Sequence, residues 1–336
     1  MHETAMDVRS ADGILAGTLA TPRTPGPYPA ALLLPGSGPL DRDGNVKRMP
    51  IDVSRRLAAT LAGHGWASYR YDKRGVGASA GDYLSTGFHD ELADAQAALT
   101  ALEAREEVSR VIVIGHSAGA VHAASLAGRE PAIAGAVLLA ATAKTGEETL
   151  RWQARKMGDD LVPGPVKALM RLFRTDVLKQ QDSAIAKLKA TTTDVARIQL
   201  QKVNAKWMRE FIAFDPVPVM AATTAPILAI TGSKDVQVDP ADLEVIAATA
   251  PNARVLEVPD MDHVLRPESA TTSNPRHYAK QAPTPLDARA VEASLDWRPA
   301  AQPAAWPRAS GPVSCAPRGR PAGGGRGGGG GGGGGG

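Results

Sequence analysis

Short apolar runs recur along the chain, and several of them close on a glycine-bearing turn. Ala30–Leu34 runs into Pro35-Gly36, Val111–Ile114 into Gly115, and Ile227–Thr231 into Gly232, while Trp66–Tyr71 precedes a polar Gly-rich stretch, 72–81. Gly135–Ala140 is a further run of the same kind. Continuous apolar runs of this length suit strands buried on both faces of a sheet. Between them lie stretches with helical spacing: 50–64, with Val53, Leu57 and Leu61 on one stripe, then 88–103, then an Ala-rich stretch ending near Arg129. Alternation of strand and helix predicts a parallel sheet with helices on both faces. Ahead of it, Asp12-Gly13 sits between short alternating segments of 8–21 and predicts a β-hairpin.

The alternation breaks at about Ala143 and resumes at Ile227. Over 143–220 no strand is expected; the segment reads as several amphipathic helices, two of them separated by Pro163-Gly164-Pro165. Helix 241–250, strand 254–258 and helix 286–297 then complete the pattern. The expected organisation is an α/β core made of 1–142 and 221–297, with a helical cap, 143–220, inserted into it. With 336 residues and 43% hydrophobic composition, the chain has enough apolar material for one such core.

After Trp297 the composition collapses to Ala, Pro, Arg and Gly, ending in unbroken glycine from 327 to 336. Glycine is costly to order and buries no side chain, so 298–336 is expected to be a disordered tail. It reads as a frameshifted or readthrough end, because the helix before it is complete. An Arg/Gly RNA-binding tail is the alternative, but arginines are few and no unit repeats. The tail also distorts the charge balance. Removing its five arginines from the net charge of +3 leaves −2, so the basic pI is no argument for a nucleic-acid partner. The single Cys315 excludes an intrachain disulfide. No apolar stretch is long enough for a membrane span, and residues 1–20 lack the pattern of a signal peptide, so a cytoplasmic protein is expected.

The strongest chemical motif is Gly115-His116-Ser117-Ala118-Gly119, which fits G-x-S-x-G between a buried strand and a helix. A tight strand-to-helix turn lifts a serine oxygen clear of the sheet, small neighbours let strand and helix pack closely, and the helix N-terminus faces developing negative charge. A serine hydroxyl needs a base, and in this arrangement the acid and then the histidine follow it in sequence. His263 stands just after strand 254–258, where the base belongs, whereas His277 lies in a Pro- and Asn-containing surface loop. Asp235 follows strand 227–231 directly at its C-terminal end, where catalytic groups of open parallel sheets gather. Its rivals are Asp239, which suits a helix N-cap, and Asp262, whose side chain is expected to point away from the adjacent His263. Two backbone N–H groups are needed for an oxyanion. Ala118 is expected to supply one, and the loop Pro35–Pro39 the other, with Ser37 first and Gly36 second.

Leu40–Asn45 is a charged turn that rims the site or binds its own backbone. Tyr71–Ser79 superficially evokes a phosphate loop but lacks the G-x-x-x-x-G-K-[ST] spacing. No metal-binding spacing of His, Cys and acids is present. Serine at the elbow argues against dehalogenase or epoxide-hydrolase chemistry, where an aspartate would stand.

Over about 8–297 the chain resembles α/β-hydrolase esterases close to the serine aminopeptidase (S33) and EstD-like carboxylesterase groups. The resemblance rests on Pro35–Asn45, Tyr71–Gly77, Gly115–Gly119, Gly232–Asp235 before Val236, and Trp207–Pro216, which is similar to the end of that group's cap. It implies the α/β-hydrolase fold, a Ser–Asp–His triad, a helical cap over the site, hydrolysis of short-chain esters and no cofactor. The expected partner is a small-molecule ester, with no nucleic acid and no membrane, and the cap is expected to shape the acyl pocket. A peptidase or acyltransferase with the same triad stays open, because one fold serves many chemistries. So does a non-catalytic binding protein, which would be expected to have lost a triad member.

Overall fold

The computed structural model describes residues 1–47, 49–162, 164–165, 176–198 and 201–297. The expectations for Pro163 and for the tail 298–336 lie outside the described residues. In chain order the strands are β1 His2–Ala5, β2 Val8–Ser10, β3 Gly13–Leu15, β4 Gly17–Thr21, β5 Tyr28–Leu34, β6 Ala67–Tyr71, β7 Val108–His116, β8 Ala136–Leu139, β9 Val195–Ile198, β10 Gln201–Asn204, β11 Ile227–Gly232 and β12 Ala253–Val258. The helices are α1 Val53–Gly63, α2 Phe88–Glu103, α3 Ala118–Arg129, α4 Gly146–Leu161, α5 Val177–Lys189, α6 Ala205–Ala213, α7 Val217–Ala222, α8 Asp242–Thr249, α9 Tyr278–Gln281 and α10 Ala288–Asp296.

Eight strands form the main sheet in the order β1-β4-β6-β5-β7-β8-β11-β12. From β6 to β12 every pairing is parallel; β4 and β1 are added antiparallel at one edge. This is the mostly parallel, helix-flanked α/β sheet that the alternation predicts. The period-2 rule explains why its strands are apolar throughout. In β5, Ala30, Leu32 and Leu34 join one core while Ala31 and Leu33 join the other, and β7 and β11 divide the same way. The first core is closed by α2, α3 and α8, the second by α1 and α10. The predicted hairpin forms as β2–β3, with Ser10 opposite Gly13.

Two strand regions depart from the sequence expectation. β1 pairs with β4 although all four of its residues are exposed, so no apolar pattern marks it. Within 143–220, β9 and β10 pair as an antiparallel hairpin where no strand was expected. Their faces are half-buried or exposed except at Asn204, which leaves little hydrophobic alternation to read. The remaining described elements of the insertion are helices, beginning with α4, whose Thr145 and Glu148 form a capping box. Among the described residues no helix is long and apolar enough to cross a membrane.

β5 has β6 on one side and β7 on the other, so the chain reverses its direction of progress across the sheet there. The loops after β5 and β7 therefore diverge from adjacent strand ends and leave a crevice, the usual ligand position in open α/β sheets.

Candidate active site

Ser117 joins β7 to α3 with φ 55° and ψ −122°. A non-glycine residue in that region stores on the order of 1–3 kcal/mol of strain, held in place by its surroundings. The two motif glycines show what holds it. A Cβ on Gly115 would stand 2.1 Å from the Gly119 carbonyl oxygen, and one on Gly119 would stand 2.3 Å from that of Leu34. Strand, helix and the neighbouring β5 therefore approach more closely than any side chain allows. Ser117 N–H is bonded to the Leu139 carbonyl at 2.8 Å, which ties the turn to β8.

Asp235 and His263 meet across the ends of β11 and β12. His263 Nδ1–H donates to Asp235 Oδ2 at 2.8 Å, with both side chains buried. Because a carboxylate only accepts, the proton sits on Nδ1 and Nε2 is left as the basic nitrogen. The other oxygen, Asp235 Oδ1, accepts from Gln237 N–H at 2.7 Å and Val238 N–H at 2.8 Å, so the carboxylate cannot swing away. His263 and Ser117 line one cavity of about 180 Å³.

The rivals have other partners. Asp239 accepts from Ala241 N–H and pairs with Lys144 at 3.0 Å. Asp262 Oδ1 accepts from Val264 and Arg266 N–H groups at 3.0 and 2.9 Å, closing the turn that carries His263. His277 is exposed in a short 3₁₀ turn.

The three oxyanion candidates, Ala118, Ser37 and Gly36, lie near Ser117. Ala118 opens α3, where the first N–H groups have no partner within the helix. Gly36 and Ser37 line the cavity, and a Cβ on Gly36 would come within 3.1 Å of Ser117 Cβ.

Several residues that the sequence did not single out shape the site. His116 Nε2–H donates to the His263 carbonyl at 2.7 Å. Burial, reinforced by the nearby His263, lowers its pKa to about 4, so the ring is neutral at pH 7 and serves as a fixed strut. The fully buried Arg266 reaches the carbonyls of Thr284, Val264 and Ile51, bracing the base loop against the segment that leads into α1. A lone arginine after His263 carries no sequence signal for such a role.

Among the described residues, those of the insertion, 143–220, contribute nothing to the lining of this cavity. Its lining includes Leu40, Gly44, Val46, Met49 and Ile51, together with Pro275 and Tyr278. The charged turn 40–45 does both things expected of it. It rims the site, and it binds its own backbone: Asp41 Oδ1 accepts from Asp43 and Asn45 N–H, and Asn45 Oδ1 from Ile51 and Asp52 N–H. The segment 71–79 is scaffolding, its Asp72 clamped bidentately by Arg42. No group of three His, Cys, Asp or Glu residues positioned to hold a metal occurs among the described residues.

Comparison with known proteins agrees with this architecture. Esterase EstD of Thermotoga maritima is 28% identical over 286 residues, covering 84% of this chain; the chain spans 65% of that relative's length. Ferulic-acid-bound Est1E of Butyrivibrio proteoclasticus superposes with a TM-score of 0.58 at 16% identity, covering 87% of this chain and 98% of its own. Proline iminopeptidase of Mycobacterium smegmatis gives 0.54 at 16% identity, covering 78% and 92%. At such identities the two structures speak to the fold alone, which is that of the α/β hydrolases. The family described as serine aminopeptidase, S33, matches residues 51–269, a span that takes in the elbow, the acid loop and the base loop. With well over half of its length inside that match, the chain belongs to the serine aminopeptidase S33 (Hydrolase_4) family and has the α/β-hydrolase fold.

Proposed function

We propose that this protein is a carboxylesterase-type serine hydrolase acting on short-chain acyl esters. The observation that carries the reading is the buried Asp235–His263 hydrogen bond at 2.8 Å, opening on the same cavity as a serine held at positive φ. In this reading Ser117 Oγ attacks the ester carbonyl carbon and His263 Nε2 takes its proton. Asp235 keeps the ring in the required tautomer and stabilises it when charged. The amides of Ala118 and Ser37, with Gly36 as the second choice in the loop, receive the oxyanion. The alkoxide leaves with the proton from His263, and water activated by the same nitrogen clears the acyl-enzyme.

The cavity favours a small acyl group. Its volume of about 180 Å³ lies below the ~300–1,000 Å³ typical of pockets for larger ligands. Its described lining contains no Asp, Glu, Lys or Arg. A peptidase that grips a charged peptide terminus would need a counter-charge there, so the ester reading is preferred to the aminopeptidase one. The EstD relative supports the same choice.

The test is hydrolysis of p-nitrophenyl acetate, butyrate, octanoate and palmitate, beside Ser117→Ala. Turnover of the two short esters is expected, with a loss of about 10⁴-fold or more in kcat for the variant. Wild-type protein inert to every ester, or an active Ser117→Ala, would sink the proposal.

A further inference from the structure

Behind the loop that follows β5, a buried chain of polar groups runs from the Gly36–Ser37 peptide to the insertion. Lys73 Nζ donates to the Gly36 carbonyl at 2.7 Å and to Glu91 Oε1 at 2.8 Å. Glu91 Oε2 accepts from the indole Nε1–H of Trp207 at 3.0 Å. The three side chains come from the turn after β6, from α2 and from α6, and each is 5–6% exposed. Lys73 lines a separate small cavity with Leu34, Pro35, Glu91 and His122, and among the described residues it does not line the one that holds Ser117.

That placement fixes an orientation. The Gly36 C=O and the Ser37 N–H are two ends of one trans peptide and point in opposite directions. A carbonyl drawn towards Lys73 turns the Ser37 N–H the other way, towards the cavity that Gly36, Ser37 and Ser117 share. Flipping the peptide would break a charge-assisted hydrogen bond in a buried setting, and it would aim a carbonyl oxygen where negative charge develops. Trp207 also touches the second amide's support. Its ring packs in one cluster with Phe88, Ala118 and Val121. Helix α6 is itself seated on the core, with Asn204 Nδ2 donating to the carbonyls of Tyr83 and Thr86 at 2.6 Å each, and Glu210 accepting from His89 N–H at 2.9 Å.

We infer that Lys73, Glu91 and Trp207 form a positioning relay that holds the Gly36–Ser37 peptide with its N–H facing the oxyanion, so that catalysis depends on the docking of α6. The inference rests on the proposed role of the Ser37 and Ala118 amides.

The experiment compares wild type, Trp207→Phe and the double variant Lys73→Met/Glu91→Gln, which leaves no unpaired charge in the core. Four quantities are read: kcat and KM for p-nitrophenyl butyrate, Ki for an alkyl trifluoromethyl ketone whose Ser117 adduct carries an oxyanion, and Tm. The double variant is expected to lose about 10–100-fold in kcat, with KM within about threefold, because a displaced donor weakens the transition state more than the bound ester. The ketone's Ki should rise in step with the loss in kcat. Trp207→Phe keeps an aromatic ring in the cluster and removes the indole N–H with part of the ring's volume; a smaller loss, about 3–10-fold, is expected in kcat and in ketone affinity. A folded double variant with wild-type kcat and ketone affinity overturns the relay. If the double variant melts below assay temperature, Trp207→Phe decides, and unchanged kcat and Ki for it overturn the relay equally. Wild-type turnover abolished by Ser117→Ala, with unaffected relay variants, removes the relay alone, whereas an inert wild type removes the hydrolase reading and the relay with it.

Discussion

The core loops around Ser117 and the insertion 143–220 are held by different kinds of bond. In the core loops, side-chain oxygens accept from nearby backbone N–H groups. Asp41, Asn45, Asp235 and Asp262 each hold two in this way, all within seven residues along the chain. The insertion adds ion pairs between side chains far apart in sequence: Lys144 with Asp239 and Asp242, and Lys206 with Asp90, join it to the core, while Arg151 with Asp182 and Lys189 with Glu147 link α4 to α5. Most of these groups are partly exposed. Short-range backbone clamps fix positions to a fraction of an ångström, whereas solvent-facing ion pairs are each worth little. In the proposed reading, geometry for chemistry is built in the core loops, and the insertion acts on the site where it is buried, at Trp207.

Two acids four residues apart give the sharpest way to break that comparison. Asp235 bonds His263, the base of the proposed mechanism, while Asp239 tethers the first residues of the insertion through Lys144. Asp235→Asn is expected to lower kcat by about 10⁴-fold with the fold intact, because the amide favours the wrong tautomer of His263. Asp239→Asn removes one partly exposed pair and should cost roughly 0–1 kcal/mol in stability, with kcat within a few-fold of wild type. Steady-state kinetics and denaturant titrations of the two variants check this. Comparable losses of activity would show that the insertion's tethers matter as much as the triad.

A pH titration sharpens the comparison next. Asp262 belongs to the core clamps, yet its Oδ2 is buried without a hydrogen-bond partner. Burial pushes its pKa up from 3.8 to about 6, against the lowering effect of the Arg266 N–H bond. The folded state therefore holds the proton more tightly than the unfolded chain. This contribution is favourable below about pH 4, is lost as the pH rises towards 6 and is flat above, with a total on the order of 2–3 kcal/mol. Urea titrations of wild type and Asp262→Asn between pH 4 and 7.5 should show the wild type losing ground to the variant over that window. A constant difference would mean that the carboxyl is not held as the structure implies.

The same contrast decides what the sequence could show. The parallel sheet, the tight turn at Ser117 and the positions of Asp235 and His263 are written in local patterns: apolar runs closed by glycine, and an Asp or His just past a strand end. The core loops were also partly legible, since Asp41, Gly44 and Asn45 are turn residues with short-range partners. The hairpin β9–β10 was missed because its strands bury almost nothing. Met49 and Val46 reach the cavity through a fold-back that Asn45 holds, and no periodicity reports that. Lys73, Glu91 and Trp207 lie up to 134 positions apart in the sequence, so nothing local announces their contact.

The smallest expected effect tests which region sets acyl length. Met49 is a half-buried, flexible side chain on the cavity wall, bridged through its backbone to Val46. Met49→Ala should open room for a longer chain and shift kcat/KM towards p-nitrophenyl octanoate relative to butyrate by about 10-fold, the discrimination worth one or two methylenes in an apolar pocket. Met49→Trp should shift it the other way, towards acetate. Trp207→Phe makes the contrasting case. Under the proposed relay it acts on the loop that receives the oxyanion, where every ester places the same carbonyl, and should scale all chain lengths by one factor. A chain-length profile that bends with Trp207→Phe and stays fixed with the Met49 variants would reverse the assignment: the insertion would then be sorting acyl groups, and the core loop would be only its frame.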